Sequence, residues 1–381
     1  MQKATASSAS VSRHIIQRNI TCSFVDVATS VRIIEEFGAI EDEAKRWKLL
    51  AEDANTPMHQ YAWVKACSMA FADCGKLHLI VVGTDQPSAL GSFVVRGRRL
   101  NRMECLGVDE LYEPTDFPHS DPASLTCLVN TLVELRHPLL LRRILADSPV
   151  LCALREAFRF RGILITRPVT GYPWIPLDAS WTEPDKKLSS SRRSSLRRAM
   201  RKAEEIGSVE FEVVSPKPQE VARLLTESLQ VEAASWKGRN GSALLTDLDR
   251  RRFFEQYTAL AVERGILRLC FMRVGGHAAA TQIAVECSGG FWLLKVGYDE
   301  TFARCSPGNL LMMETLRYAA SRGLRTYEFL GSAEPWTRTW TDRVRPCVSV
   351  WAYPANLRGL GTFSWDAMRF GWERLIRHFD R

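Results

Sequence analysis

Short apolar runs alternate along this chain with stretches in which apolar residues recur at helical spacing. In the first half the pattern predicts a strand at 20–27, helices at 41–53 and 58–72, and strands at 76–84 and 88–97 divided by the turn signal Asp85-Gln86-Pro87. A turn-rich stretch (107–124), a helix (123–135), a strand (138–145), a helix (149–160), a strand (162–167) and the extended segment YPWIPLD (172–178) follow. Residues 179–191 read as a linker, and SSSRRSSLRRAMRKAEEIG (189–207) reads as one helix, with serine N-cap candidates and Gly207 as its stop. The second half predicts a strand at 209–214, helices at 218–236 and 247–265, and strands at 266–274 and 277–287 joined by Gly275-Gly276. A third strand (291–298), a loop (299–308), a helix (308–322) ending at Gly323 and a strand (324–331) complete it.

Composition changes this picture little until charge is mapped. The chain has 381 residues, of which 46% are hydrophobic and 25% charged, so two to three globular domains are expected. Its net charge is +8, and residues 186–202 (KKLSSSRRSSLRRAMRK) hold eight basic residues and no acid. The rest is formally neutral, which argues for one local anionic partner and against a nucleic-acid-binding surface spread over the molecule. Ten cysteines occur without C-x-x-C or zinc spacing, so neither a metal site nor a disulfide framework is expected. Residues 1–19 lack an apolar signal core and read as a tail, and a cytoplasmic location is expected.

The strand–loop–helix at 291–322 suggests chemistry. A helix start that contains proline and glycine, here Ser306-Pro307-Gly308-Asn309, turns backbone N–H groups and the positive end of the helix dipole toward an anion. Arg304 beside it adds charge, although any helix cap has the same look.

At this point the second half resembles the GNAT superfamily of acyl-CoA N-acyltransferases, and more narrowly its cellulose-biosynthesis-like, Fem-related branch. The segments that carry the resemblance are RRSSLRRAMRKAEEIG with the strand VEFEVV, Trp236-Lys237-Gly238, GILRLCFMRVGGHAAATQIAVE, and VGYDETFARCSPGNLLMMETLRYAASRGLRTYEFLGSAEPWTRTW. NTPMHQYAWVKA and ECLGVDELYEPTDF carry a fainter likeness in the first half. The resemblance implies an α/β fold of two GNAT-like domains in tandem, with mixed sheets flanked by helices. The expected units are a degenerate domain at 20–180, an active one at 186–353, and a C-terminal amphipathic helix at 354–381.

It also implies acyl-CoA as co-substrate, no metal, and direct attack of an amine on a thioester held between strands 291–297 and 325–330. The backbone of Arg304, Cys305, Ser306, Pro307, Gly308, Asn309 and Leu310 would cradle the pyrophosphate. Glu328 is the first base candidate, since an acid at the splay of the sheet would reach the amine. Asp299 is the second, unless it merely orders the turn. Tyr298 would protonate the leaving thiolate. Trp236, Lys237, His277, Gln282, Lys295 and Trp336 are candidates for the acceptor side, Lys295 alternatively pairing with Glu286 across the hairpin. Trp336, Trp340 and Trp351 are candidate walls of an aromatic pocket. Where many members carry Tyr-Lys, this chain has Trp336-Thr337, with Arg338 next.

The acceptor would be an amino sugar, an amino acid or peptide, or an amino lipid. Fem-type transfer from aminoacyl-tRNA and a non-catalytic basic module are the alternatives. The basic helix at 190–206 would meet coenzyme A phosphates, an acyl carrier protein or an anionic membrane. In the C-terminal helix Trp365, Met368, Trp372, Leu375, Ile376 and Phe379 share one face, with Phe363 and Phe370 opposite. Docking on the body through the larger face is the first expectation, and interfacial membrane contact is the second.

Overall fold

The computed structural model of the chain describes residues 18–22, 29–51, 56–97, 101–235, 241 and 243–379. The first half supplies β1 (Arg18–Cys22), β2 (Thr29–Ile34), α1 (Ala44–Ala51), α2 (Tyr61–Ala70), β3 (Lys76–Val82), β4 (Ala89–Arg96), β5 (Arg102–Cys105), α3 (Val108–Leu111), α4 (Pro122–Glu134), β6 (Leu139–Leu145), α5 (Pro149–Phe158) and β7 (Gly162–Pro176). The second half supplies α6 (Ser190–Glu204), β8 (Val209–Val214), α7 (Pro218–Ala233), α8 (Leu248–Glu263), β9 (Leu267–Val274), β10 (His277–Cys287), β11 (Gly290–Tyr298), α9 (Pro307–Ser321), β12 (Thr326–Glu328), β13 (Val344–Pro354) and α10 (Leu357–Phe379).

All these strands join one mixed sheet in the order β1-β2-β3-β4-β5-β6-β13-β7-β12-β11-β10-β9-β8. Two neighbouring pairs are parallel, β5 with β6 and β11 with β12. The order is nearly symmetric. In each half antiparallel strands lead to a parallel pair connected through a helix, α4 in one and α9 in the other. The last strands then cross over: β7 pairs with β12 of the second half, and β13 returns to pair with β6 of the first. Residues 344–353, assigned from sequence to the second unit, therefore lie in the middle of the sheet.

β7 runs unbroken through a segment whose prolines and glycine suggested two pieces. A bulge near Gly171 absorbs one extra residue between the pairs Arg345↔Tyr172 and Cys347↔Val169. A Cβ on Gly171 would lie 2.2 Å from the Arg345 carbonyl oxygen, so glycine is required there.

Apolar burial on one face of the sheet crosses from half to half. Trp63 of α2 meets Phe253 and Tyr257 of α8 edge-on, with ring centroids 4.8 and 5.0 Å apart. On the other face α4 and α5 cover the first half, and α6 and α9 cover the second.

The C-terminal helix α10 docks on β13 by the face opposite to the first expectation. Phe363 packs on Tyr353 and Phe370 on Trp351, and Thr362 and Asp366 are buried. Trp365 and Met368 face solvent. The cause is polar: Asp366 accepts from Arg102 (2.5 Å) and from the Tyr353 hydroxyl (2.7 Å), and satisfying these groups fixes the rotation of the helix. The side chains of Trp372, Leu375, Ile376 and Phe379 lie outside the described residues.

Candidate active site

β11 and β12 pair only at Gly290↔Thr326, Phe291↔Tyr327 and Trp292↔Glu328. β12 then ends, while β11 continues to Tyr298, so the parallel strands part beyond Trp292. On its other edge β11 slips against β10, with Leu293 opposite Ala284 and Lys295 opposite Ile283, which leaves Leu294 as the extra residue of a bulge. The widening gap leads from the middle of the sheet toward the start of α9.

That start is open. A 3-10 turn at Glu300–Cys305 brings the chain to Ser306, whose φ of +45° is left-handed, and Pro307 begins α9 with no side chain capping it. Asn309 and Leu310 spend their N–H groups on the Ser306 carbonyl at 3.1 and 3.3 Å, so they do not extend the expected cradle. Pro307 has no N–H, and the Gly308 N–H faces the uncapped end. A Cβ on Gly308 would meet nothing nearer than Tyr298 at 3.9 Å, so this end has room. Basic α6 packs against the same turn. Burial pushes the Cys305 thiol up, against the pull of the Arg304 and Lys202 charges, which places both cations near the loop. Cys305 is buried and donates to the Phe302 carbonyl (3.0 Å), an arrangement unsuited to a thiolate nucleophile.

The base candidates fare differently from expectation. Glu328 is 1% exposed, and both of its oxygens are held by Arg345, at 2.7 and 2.9 Å. The Arg345 guanidinium also lies 4.0 Å from the centre of the Trp174 ring. A carboxylate in such a bidentate pair is a structural counter-ion, not a free proton acceptor. Asp299 caps the 3-10 turn by accepting from the Thr301 N–H and hydroxyl, both at 2.8 Å, so it orders the loop. Tyr298 is half-buried at the end of β11, beside Gly308.

Among the acceptor candidates, Gln282 is buried between β10 and α9. Its side-chain oxygen accepts from Tyr327 (3.4 Å), which also meets the Thr315 hydroxyl (3.0 Å), so it is a core residue. His277 is exposed at the hairpin turn, away from the gap. Lys295 lies past the splay with its ammonium 5.8 Å from the Phe254 ring centre. It does not pair with Glu286, which binds Arg268 and the Tyr318 hydroxyl at 2.8 Å each. Trp336 packs edge-on to Phe329 and donates to Glu334 (3.0 Å). Trp340 shares that core, but Trp351 lies under α10, so the three tryptophans form no common pocket. Trp236 and Lys237 lie outside the described residues.

Sequence reasoning missed a carboxylate from the first half. Glu113, in the segment between α3 and α4, reaches the seam where β12 gives way to Gly331. Burial raises its pKa to about 7, opposed by Arg143, Lys295 and the Gly331 N–H that donates to it. One of its oxygens is buried without a hydrogen-bond partner. Arg143 is fully buried and donates to the carbonyls of Tyr112 and Gly331, the latter at 2.7 Å. Arg143 and Leu330 both take φ of +55° here, and such strain collects where structure serves function. The signal in sequence was faint: Tyr112-Glu113-Pro114 in a turn-rich stretch.

Residues 190–338 match the family model described as the acetyltransferase (GNAT) domain. This segment is similar to that family's domain. It covers the basic helix, the splayed pair and the open helix start, while β13, α10 and the first half lie outside it. No curated protein matches the chain significantly. Among solved structures, the C-terminal DUF2156 domain of a putative lysylphosphatidylglycerol synthetase from Agrobacterium fabrum is 14% identical, with a TM-score of 0.55 over 86% of this chain and 96% of that one. FemX is 12% identical, with a TM-score of 0.53 over 83% and 96%. A conserved protein of unknown function from Bacteroides thetaiotaomicron is 11% identical, with a TM-score of 0.54 over 89% and 99%. At these identities the likeness establishes the fold, and it extends over both halves around the GNAT segment. Among the described residues no cluster suits a metal ion, and no helix is long and apolar enough to cross a membrane.

Proposed function

We propose that the chain is an N-acyltransferase that moves an acyl group from acyl-CoA to an amine, with Glu113 as the base. The observation that carries this reading is the gap between β11 and β12 ending beside an uncapped helix start flanked by Lys202 and Arg304. A thioester laid in the gap runs along β11 beyond Trp292, and its pyrophosphate meets the Gly308 N–H, the dipole of α9 and two cations. The amine enters from the seam. Its lone pair forms the C–N bond at the thioester carbonyl, and the C–S bond breaks. The nitrogen's proton passes to Glu113, whose pKa of about 7 suits proton acceptance near neutrality. In this reading Tyr298, next to Gly308, returns a proton to the departing thiolate.

The acceptor class stays as broad as the sequence made it: amino sugars, amino acids or peptides, and amino lipids. The name of the Agrobacterium fabrum structural relative makes the lipid class worth testing first. A second reading, transfer from aminoacyl-tRNA, is favoured by one feature. Arg197, Arg198, Arg201 and Lys202 on α6 are exposed and form no ion pair among the described residues. Thiol release from acetyl- through palmitoyl-CoA with pooled amines, with products identified by mass, separates the two. Release of thiol with an amide product supports the first reading. Silence toward every acyl-CoA, with consumption of aminoacyl-tRNA, replaces it by the second.

A further inference from the structure

The rotation of α10 leaves apolar side chains in water on a helix that had a core available. Leu357 is 90% exposed, Met368 64%, Trp365 57% and Leu360 54%. On a helix of 3.6 residues per turn these four fall on one side, opposite Thr362, Phe363, Asp366 and Phe370, which dock on β13. In sequence Trp372, Leu375, Ile376 and Phe379 keep the same period. Scattered single apolar residues on a surface need no explanation, but a continuous stripe does.

A second feature stands beside the start of the helix. Phe160, in the turn between α5 and β7, is 93% exposed and holds φ at +61°. Its neighbour Phe158 is buried in the first-half core, so the turn sends one aromatic in and one out. An aromatic kept in a left-handed conformation and in water is strained twice over. The Ala355 N–H donates to the Arg161 carbonyl (2.8 Å), which ties this turn to the segment that begins α10.

The exposed charges on the described part of the helix are of one sign. From Leu357 to Phe370 the exposed charged residues are Arg358 and Arg369, while the only acid, Asp366, is turned inward onto Arg102. Beside Phe160 the Arg159 guanidinium lies 5.2 Å from the ring centre and pairs with exposed Glu156 at 3.6 Å, so this turn adds no net charge. We propose that the outer face of α10, together with Phe160, lies on an anionic lipid bilayer. An apolar stripe with an interfacial tryptophan and arginine flanks fits the boundary between headgroups and acyl chains, and the same helix is too polar overall to cross it. The surface is independent of the acyl-transfer site, and neither reading requires the other.

The test is co-sedimentation of the full chain with vesicles of phosphatidylcholine alone and with vesicles in which one lipid in four is phosphatidylglycerol. Wild type is expected to pellet with the anionic vesicles and far less with the neutral ones. Trp365→Ser/Met368→Ser and Phe160→Ser, checked by circular dichroism, are expected to lower the partition coefficient, each lost side chain costing about tenfold. All variants keep their thiol release with a soluble amine. Equal pelleting of wild type and the double variant overturns the proposal, as does failure of wild type to bind anionic vesicles. It is overturned too if wild type sediments as a dimer that the double variant dissolves, because the stripe is then covered by a second copy of the chain.

Discussion

The starts of α4 and α9 hold corresponding places in the two halves, each leading back from one strand of a parallel pair to the other, and they are finished in opposite ways. At α4 the Asp121 carboxylate accepts from the Ser124 N–H (2.8 Å), the Ser124 hydroxyl (2.7 Å) and the Ser120 hydroxyl (2.8 Å). Those bonds, Ser124's first, hold its pKa down at about 2. At α9 the N-cap is Ser306 in a left-handed conformation, and its side chain takes none of the first N–H groups. A helix start favours one negative charge. The first half supplies that charge from its own chain, and the second leaves the place uncapped. The connections differ as well. The first half spends residues 106–121 between β5 and α4, long enough to carry Glu113 to the seam, while the second closes the same connection with 299–306. One helix start is filled by its own carboxylate and the other is open, and in the proposed reading Glu113 of the first half serves the site of the second.

The sharpest test of that loan compares two carboxylates. Glu113→Gln is expected to lower kcat/KM about 10³-fold, within the range for losing a general base. In wild type the rate should climb with pH and level off above about 7, where Glu113 is ionised, and the variant should lose that limb. Stability gives the complementary sign. A carboxyl raised from 4.5 to about 7 in the folded chain withdraws stability as pH rises through that window. Glu113→Gln should remove this slope, so the difference in Tm between pH 5 and pH 8 shrinks. Arg345→Ala tests the other carboxylate. It strands Glu328 as a buried charge and is expected to cost about 3 kcal/mol in urea unfolding, with the pH profile of transfer unchanged. A profile that shifts instead would return Glu328 to the role of base.

The next expectation converts one helix start into the other. Ser306→Asp places a carboxylate where Asp121 stands in the first half, and aspartate tolerates the left-handed φ. Charge-assisted hydrogen bonds are worth about 1.5–3 kcal/mol, so acetyl-CoA affinity by titration calorimetry should fall about 100-fold. The Tm should hold or rise. Undiminished affinity would mean that the open start of α9 is not where the anion sits.

How much of this was legible in the sequence follows from the range of each interaction. The hairpin at Gly275-Gly276, the loop before α9 and the basic helix announce themselves within a few residues, and the structure has all three. The exchange of β7 and β13 does not, because β13 pairs with β6 some two hundred residues away, and period-two alternation names no partner. Glu328 looked like a base because its strand ends at the splay. Arg345, which neutralises it, arrives on the exchanged strand and could not be placed beforehand. Glu113 was missed for the same reason, since its chemistry comes from burial at a seam built with Arg143, Lys295 and Gly331, all distant in sequence. The face of α10 was misjudged because apolar count favoured one side, while a single buried carboxylate, Asp366, chose the other.

The smallest expected effect closes the comparison from the first half. Asp121→Ala removes the cap of α4 and should cost about 1 kcal/mol, the usual loss at an N-cap. With a folded pKa of about 2 against 3.8 for a free carboxyl, the contribution of Asp121 is present above about pH 4 and fades as pH falls through about 2. Urea midpoints of wild type and variant should therefore differ at neutral pH and converge in acid. Because Asp121 fills the start of α4 with its own charge, acyl transfer and acetyl-CoA affinity should not change. If Asp121→Ala instead gained a measurable affinity for acetyl-CoA at a second site, the carboxylate at α4 would be the one thing that keeps the first half from binding the ligand of the second.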